Sequence, residues 1–251
     1  MSRERVRGLI ALPVLGVMGA LFVWAFTGIH GFGDFHGAYG LLLDHIVVPL
    51  RHSPNVVNPI VFDVRGVDTM GEEFILFAAV LGTVLLLRSH GREESEERQL
   101  DRTVDAVESD GLRVVGVLMV GFALVVGLWL VAFGFQTPGG GFQGGVVVAG
   151  ALVLLYAAVS FRAWHRFANE EAVDPLEGLG VGGYVVVGLA ALASGLPFLQ
   201  ELFSLGKTGT LFSVGSLPVL NLATAIEVAA ANFTLCIEFL NQYALRPRTG
   251  R

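Results

Sequence analysis

The sequence predicts an all-α, polytopic integral membrane protein with about six transmembrane helices and both termini cytoplasmic. Three observations carry that expectation. Of 251 residues, 53% are apolar and only 15% charged, whereas a soluble domain carries about 25% charged residues. The apolar residues gather in blocks of about 20, the helical length that crosses a hydrocarbon core. Arginine and lysine then divide unequally between the segments that join those blocks, as the positive-inside tendency requires.

The first span, about Gly8–Gly28, follows Arg3, Arg5 and Arg7. Its apolar run exceeds the roughly 7–15 residues of a secretory signal, and no small-residue cleavage site follows, so it reads as a retained helix. The second, Gly71–Leu87, is the weakest, because only Phe74–Leu87 is free of charge. It reaches spanning length if Glu72 and Glu73 lie at the interface, where a helix N-terminus favours carboxylates. Val114–Phe135, Phe142–Phe161, Leu179–Leu199 and Leu217–Leu240 complete the set. With these six spans, 13 of the 16 Arg and Lys residues fall on one side, leaving Arg51, Arg65 and Lys207 on the other. Removing the doubtful second span would scramble this partition.

The charged, aromatic-poor stretch SHGREESEERQLDRTVDAVESDG reads as a solvated linker. It divides the chain into a two-helix membrane domain at 1–90, a cytoplasmic linker at 91–111 and a four-helix membrane domain at 112–251. No internal repeat relates the two parts, so an inverted-repeat carrier core is not supported. Cys236 is the single cysteine and lies in an apolar block, which excludes a disulfide framework and a thiolate metal site. The net charge of −6 gives no reason to expect nucleic acid as a partner.

Gln136–Gly145, QTPGGGFQGG, contains G-x-G-x-x-G at Gly139, Gly141 and Gly144. A dinucleotide turn must follow a β-strand and open a helix of a βαβ unit. Here a membrane span precedes it, and the second match, GLGVGG at Gly178–Gly183, opens another span. Neither is a nucleotide site. Two readings of the first stretch remain. One is a tight outer turn, stopped by Pro138, after which Gly141, Gly145 and Ala149 form a small-residue edge for a neighbouring helix. The other is a broken helix end facing an ion path.

In the last span Asn221, Thr224, Glu227, Ala231, Thr234, Glu238 and Asn241 recur at helical spacing and share one face. A carboxylate at the centre of a span costs roughly 2.5–3.5 kcal/mol on insertion scales, so Glu227 must face protein or water. It is either helix–helix glue or a carboxylate that handles protons or cations; Glu238, nearer the cytoplasmic end, reads as structural. His30, His36, His45 and His52, with Asp34, Asp44, Asp63 and Asp68, lack metal-ligand spacing and read as surface polar residues. No nucleophile elbow, Walker lysine or Cys pair is present, so neither an enzyme activity nor a cofactor is expected.

Two segments are identified by resemblance. Asn55–Arg88, NVVNPIVFDVRGVDTMGEEFILFAAVLGTVLLLR, resembles the signature near the C-terminus of the large A-type component of Mrp-type multisubunit Na+/H+ antiporters, and of the corresponding small subunit of membrane-bound hydrogenases. The matching positions are Asn55, Val56, Val57, Asn58, Asp63, Arg65, Gly66, Asp68, Thr69, Gly71 and Glu72. TPGGGFQGG, with Pro138, Gly139, Gly140, Gly141, Phe142, Gly144 and Gly145, resembles the signature of the B-type component of the same antiporters. LPVLNLATAIEVAAA, Leu217–Ala231, looks like the last helix of that component. The resemblance implies an accessory subunit of a hetero-oligomeric Na+/H+ antiporter in a prokaryotic plasma membrane, with other membrane subunits as partners. The alternative is a membrane-arm subunit of a related redox complex such as a hydrogenase. Candidate ion-path residues are Glu227, Thr224, Thr234, Glu238, Glu72 and Glu73. The long antiporter-like region of the A-type component, with its intramembrane lysines, is absent, and Pro59 and Phe62 depart from the family pattern.

Overall fold

The computed structural model describes residues 3–29, 37–88, 110–158, 170–210 and 213–245. Among them every regular element is a helix. The chain forms two compact units, Met1–Leu42 and Leu43–Arg251. The first contains α1 (Arg3–Thr27), with Pro13 inside it and an apolar stretch at Leu12–Thr27. His30, Asp34 and His36 lie outside the described residues, as do nearly all of the charged linker and the arginines at 92, 98, 102, 162, 166, 246, 248 and 251.

α2 (Ala38–Arg51) occupies a segment that reads in sequence as outer loop. The sign was present: Leu41, Leu42, Ile46 and Leu50 follow a helical rather than a loop pattern. After it, a helical turn at Val57–Pro59 passes into a π-helical turn at Ile60–Val64, closed by the Arg65 amide donating to the Ile60 carbonyl at 2.8 Å.

α3 (Gly66–Arg88) corrects the shortness expected of the second span. It begins five residues before Gly71, so Gly66–Leu87 is a 22-residue segment long and apolar enough to cross a membrane. Asp68 sits in its first turn and pairs with Arg65 at 2.6 Å, and the Thr69 hydroxyl donates to the Val61 carbonyl at 2.6 Å. Together these contacts dock the helix start on the preceding turn.

Four further helices complete the second unit: α4 (Asp110–Ala132), α5 (Gly141–Ala158), α6 (Glu170–Ala193) and α7 (Leu217–Leu245). Arg113–Ala132, Pro175–Ala193 and Leu217–Phe239 are also of spanning length, whereas Gly141–Tyr156 is a shorter apolar helix. α4 stops at Ala132 rather than Phe135, and the chain turns through Phe133–Gln136. α6 stops at Ala193 rather than Leu199. There Gly195 takes φ +77° and the Leu196 amide reaches back to the Ala191 carbonyl at 3.0 Å, a glycine-terminated helix end.

α7 is the axis of the bundle. It packs against α3, α5 and α6, and 61% of its most apolar window is buried, against 11–33% for the other three spanning helices. Close approach depends on missing side chains. A Cβ on Gly141 would lie 2.5 Å from the Asn221 carbonyl, and one on Gly145 2.9 Å from that of Ala225. Ala149 continues this edge into an apolar cluster with Phe233 and Ile237. A larger cluster of Phe62, Phe135, Tyr184, Leu199, Val214, Leu217 and Leu220 closes the other end of the bundle. Between the two clusters, α7 presents Asn221, Thr224 and Glu227 to its neighbours.

Candidate functional site

The polar layer begins at Asn221. Its side chain makes four hydrogen bonds, the full capacity of an amide. Its oxygen accepts from Asn58 Nδ2 at 3.0 Å and from the Gly141 amide at 2.8 Å; its nitrogen donates to Asn58 Oδ1 at 2.9 Å and to the Leu217 carbonyl at 3.2 Å. The first amides of a helix have no partner of their own, so Asn221 caps α5 from a different helix. Gly140 lies over the pair with φ +151°, where a Cβ would meet Asn221 Oδ1 at 3.3 Å.

Asn55 ties the same region from the other side. Its amide nitrogen donates to the carbonyls of Gly134 at 2.5 Å and Thr137 at 3.1 Å, and the Ser53 hydroxyl donates to the Phe135 carbonyl at 2.7 Å. The two family-like signatures, Asn55–Glu72 and Pro138–Gly145, are therefore parts of one hydrogen-bonded assembly.

One turn deeper lies the carboxyl layer. Glu73 on α3, Thr224 and Glu227 are wholly buried. The Thr224 hydroxyl donates to Glu73 Oε1. Glu73 Oε2 and both oxygens of Glu227 have no hydrogen-bond donor in good geometry, while the Glu73 and Glu227 carboxyls lie beside each other, within reach of a shared proton. Buried Glu177 on α6 is close enough to Glu227 to act on it electrostatically. Gly180 makes this possible: a Cβ there would come 2.5 Å from Glu227 Cβ and 2.6 Å from its amide nitrogen. At 1.5 Å of rise per residue, Glu73 stands about 10 Å and Glu227 about 15 Å from the helix ends at Gly66 and Leu217. Two adjacent buried carboxylates are not both ionised without compensation. The layer must hold a proton or a cation.

At the bundle end, Arg51 pairs with Asp63, and Glu201 stands beside them, its carboxyl accepting the Ser216 amide at the start of α7. Burial pushes the Glu201 carboxyl up to about 7; Asp63 adds to this, and the Ser216 amide and Arg51 oppose it. His52 Nδ1 bonds the Gly206 carbonyl at 2.7 Å, holding the same loop.

The candidate ion-path residues thus separate. Thr224, Glu227 and Glu73 meet; Glu72 is exposed; Thr234 and Glu238 are buried farther along α7, in its last four turns. Of the signature residues, Arg65, Asp68 and Pro138 are exposed, whereas Asn58, Gly66, Gly140, Gly141, Gly144 and Gly145 are buried. Gly71 has open space around it. Sequence reasoning passed over Glu177, Gly180, Tyr184 and Glu201. Glu177 was legible as an acid beside a span, three residues before Gly180 in the glycine run already singled out. Among the described residues no group of three or more His, Cys, Asp or Glu side chains is arranged to hold a metal.

Comparison with known proteins agrees with this architecture. Residues 111–234 match the family described as a domain related to the MnhB subunit of Na+/H+ antiporter. An uncharacterized protein of Methanocaldococcus jannaschii is 27% identical over 217 residues, covering 77% of this chain and 78% of its own length. A probable K+/H+ antiporter A/B subunit of Rhizobium meliloti is 28% identical over 217 residues, and the match spans 21% of that longer protein. Among solved structures, a chain of the membrane-bound sulfane sulfur reductase, an archaeal respiratory membrane complex, superposes with a TM-score of 0.71 at 28% identity. That alignment covers 94% of this chain and 98% of the other. A chain of the Mrp complex from Dietzia sp. shares the fold, with a TM-score of 0.67 at 24% identity over 95% of this chain and 26% of its own length. The glycine-seated helices around α7 are therefore those of a multi-pass membrane protein, and its residues 111–234 resemble the MnhB-related domain of Na+/H+ antiporter subunits.

Proposed function

We propose that this chain is an accessory subunit of an Mrp-type monovalent cation/proton antiporter complex, and that Glu227 and Glu73 couple to its ion path. The observation that carries the reading is the pair of wholly buried carboxyls, Glu73 about a third and Glu227 about half of the way along their membrane-spanning helices, the second of them in the MnhB-related region. Intramembrane ionisable groups are rare and mark ion and proton paths. The chain performs no covalent chemistry. It works in a prokaryotic plasma membrane, both ends in the cytoplasm, beside other membrane subunits and with Na+ and H+ as the transported ions. The hydrogen-bonded assembly of Asn55, Asn58, Gly141 and Asn221 holds the helices that carry the carboxyls.

Deletion of the chain tests this. Cation-dependent proton exchange in inverted membrane vesicles is expected to disappear while partner subunits are still made; unchanged exchange would sink the reading. A second reading is favoured by the likeness to the sulfane sulfur reductase complex over nearly the full length of both chains. In it the same subunit belongs to a redox-driven membrane arm. Mass spectrometry of the subunits that co-purify with a tagged chain separates the two: redox subunits support the second, antiporter subunits the first.

A further inference from the structure

We propose that Glu73, Glu227 and Glu177 form a proton relay across three helices, with Gly180 as the positioning residue that holds Glu227 in it. The inference rests on the ion-path reading and deepens it by naming the proton, rather than the metal cation, as what this layer carries.

Three observations support the assignment. The first is order. Glu73 and Glu227 stand side by side about 10 and 15 Å from the helix ends at Gly66 and Leu217. α6 runs toward that end, so Glu177, three residues before Gly180, lies about 4.5 Å deeper on the same helix face. All three side chains are buried. The second is the hydrogen bonding. Thr224 donates to one oxygen of Glu73 and leaves Oε2 without a donor, as are both oxygens of Glu227. A proton between these groups satisfies both: one O–H bond breaks on the carboxylic acid, one forms on the carboxylate, and nothing is oxidised or reduced.

The third observation separates proton from metal. Hard cations gather about six or more oxygens, and no metal-holding group of acidic or histidine side chains occurs among the described residues. Gly180 brings the α6 backbone against the Cβ and amide of Glu227, so the helix surfaces meet where a hydrated ion would need room. A proton needs only contact. Among the described residues, the other ionisable groups near the layer are Tyr184 on α6, whose hydroxyl donates to the Gly66 carbonyl at 2.9 Å, and Glu72, which is exposed beside Glu73.

The test uses the complex purified through a tag on this chain and reconstituted in liposomes, with proton flux and radiolabelled Na+ binding measured separately. Glu227→Gln and Glu177→Gln are expected to lower proton flux on the order of 100-fold, the scale of a lost proton-transfer group, while Na+ binding stays. Glu227→Asp restores part of the flux with a shifted pH profile, and stands in where a Gln variant does not assemble. Gly180→Ala must push α6 away from Glu227, and in the complex that assembles it is expected to shift the pH profile of flux while Na+ binding stays. Wild-type flux in either Gln variant, an unshifted profile in Gly180→Ala, or loss of Na+ binding together with flux would overturn the proposal. If wild-type liposomes show no cation-coupled proton flux, the antiporter reading fails separately. The protonated-carboxyl infrared band then decides the relay: a band altered by both Glu73→Gln and Glu227→Gln supports it, and one unaltered by either overturns it.

Discussion

Asn221 and Asn58 are joined by two hydrogen bonds, 2.9 and 3.0 Å long, between residues 163 positions apart. Through the Gly141 amide the same Asn221 oxygen caps a third segment. Asn221→Ala strands Asn58 and the helix amide in a buried site, at about 1–3 kcal/mol for each unsatisfied group. The apparent unfolding temperature of the detergent-solubilised protein is expected to fall. A double-mutant cycle with Asn58→Ala should show coupling, since removing both amides removes the stranding.

Thr224→Val keeps the shape of the side chain and removes the donor to Glu73. Stability is expected to fall by about 1–3 kcal/mol, because the valine packs but leaves Glu73 Oε1 without its donor in a buried site. Cation-coupled flux is expected to fall and its pH profile to move, since Glu73 then lacks the bond that orients it. A wild-type profile would make Thr224 a packing residue alone.

Glu201 predicts a pH dependence outside the membrane-spanning segments. Its folded value of about 7 stands above the ordinary 4.5, chiefly through burial. The folded protein therefore holds this proton more tightly than the unfolded chain does. The stability contributed is complete below pH 4.5, falls as pH rises toward about 7, and is constant above that. Glu201→Gln should remove this slope, and comparing the unfolding temperatures of both proteins across that window checks it.

Gly141→Val sets a branched side chain where even a Cβ would lie 2.5 Å from a backbone carbonyl of α7. The two helices must separate, and overpacking of this kind costs typically about 1–3 kcal/mol or more. Loss of assembly is expected, read as loss of partner subunits from the purified complex. Gly71→Ala, with open space around it, serves as the control and should assemble normally.

Cutting the chain within residues 89–109 and co-expressing the halves should still yield a complex. Asn58 and Glu73 on the first piece bond Asn221 and Thr224 on the second, and α3 packs against α7. The second piece expressed alone is expected to be unstable, measured by its yield in membranes.

How much was legible in the sequence depended on the range of the physics. The spanning helices were legible because burial in hydrocarbon acts on some 20 consecutive residues at once. The 3-4 spacing of Asn221, Thr224 and Glu227 was legible because one helix face is a local property. The start of α3 at Gly66 was not: the π-helical turn before it and the Thr69 bond to Val61 decide it. The end of α6 at Ala193 hung on one backbone angle at Gly195. α2 was overlooked although its Leu and Ile residues fall at helical spacing, because 14 residues are too few to cross a membrane and the segment lies between two spans.

By itself, then, the sequence determined that this is a helical membrane protein and that one face of its last helix carries Asn221, Thr224 and Glu227. Only the tertiary structure decided what those side chains face. Glu73 rather than Glu72 enters the layer, Glu177 joins it, and Gly180 seats Glu227. Adjacent acids such as Glu72 and Glu73 are equivalent in composition and differ by about 100° around the helix. Which one is buried is set by contacts between helices distant in the chain, and no local pattern encodes those.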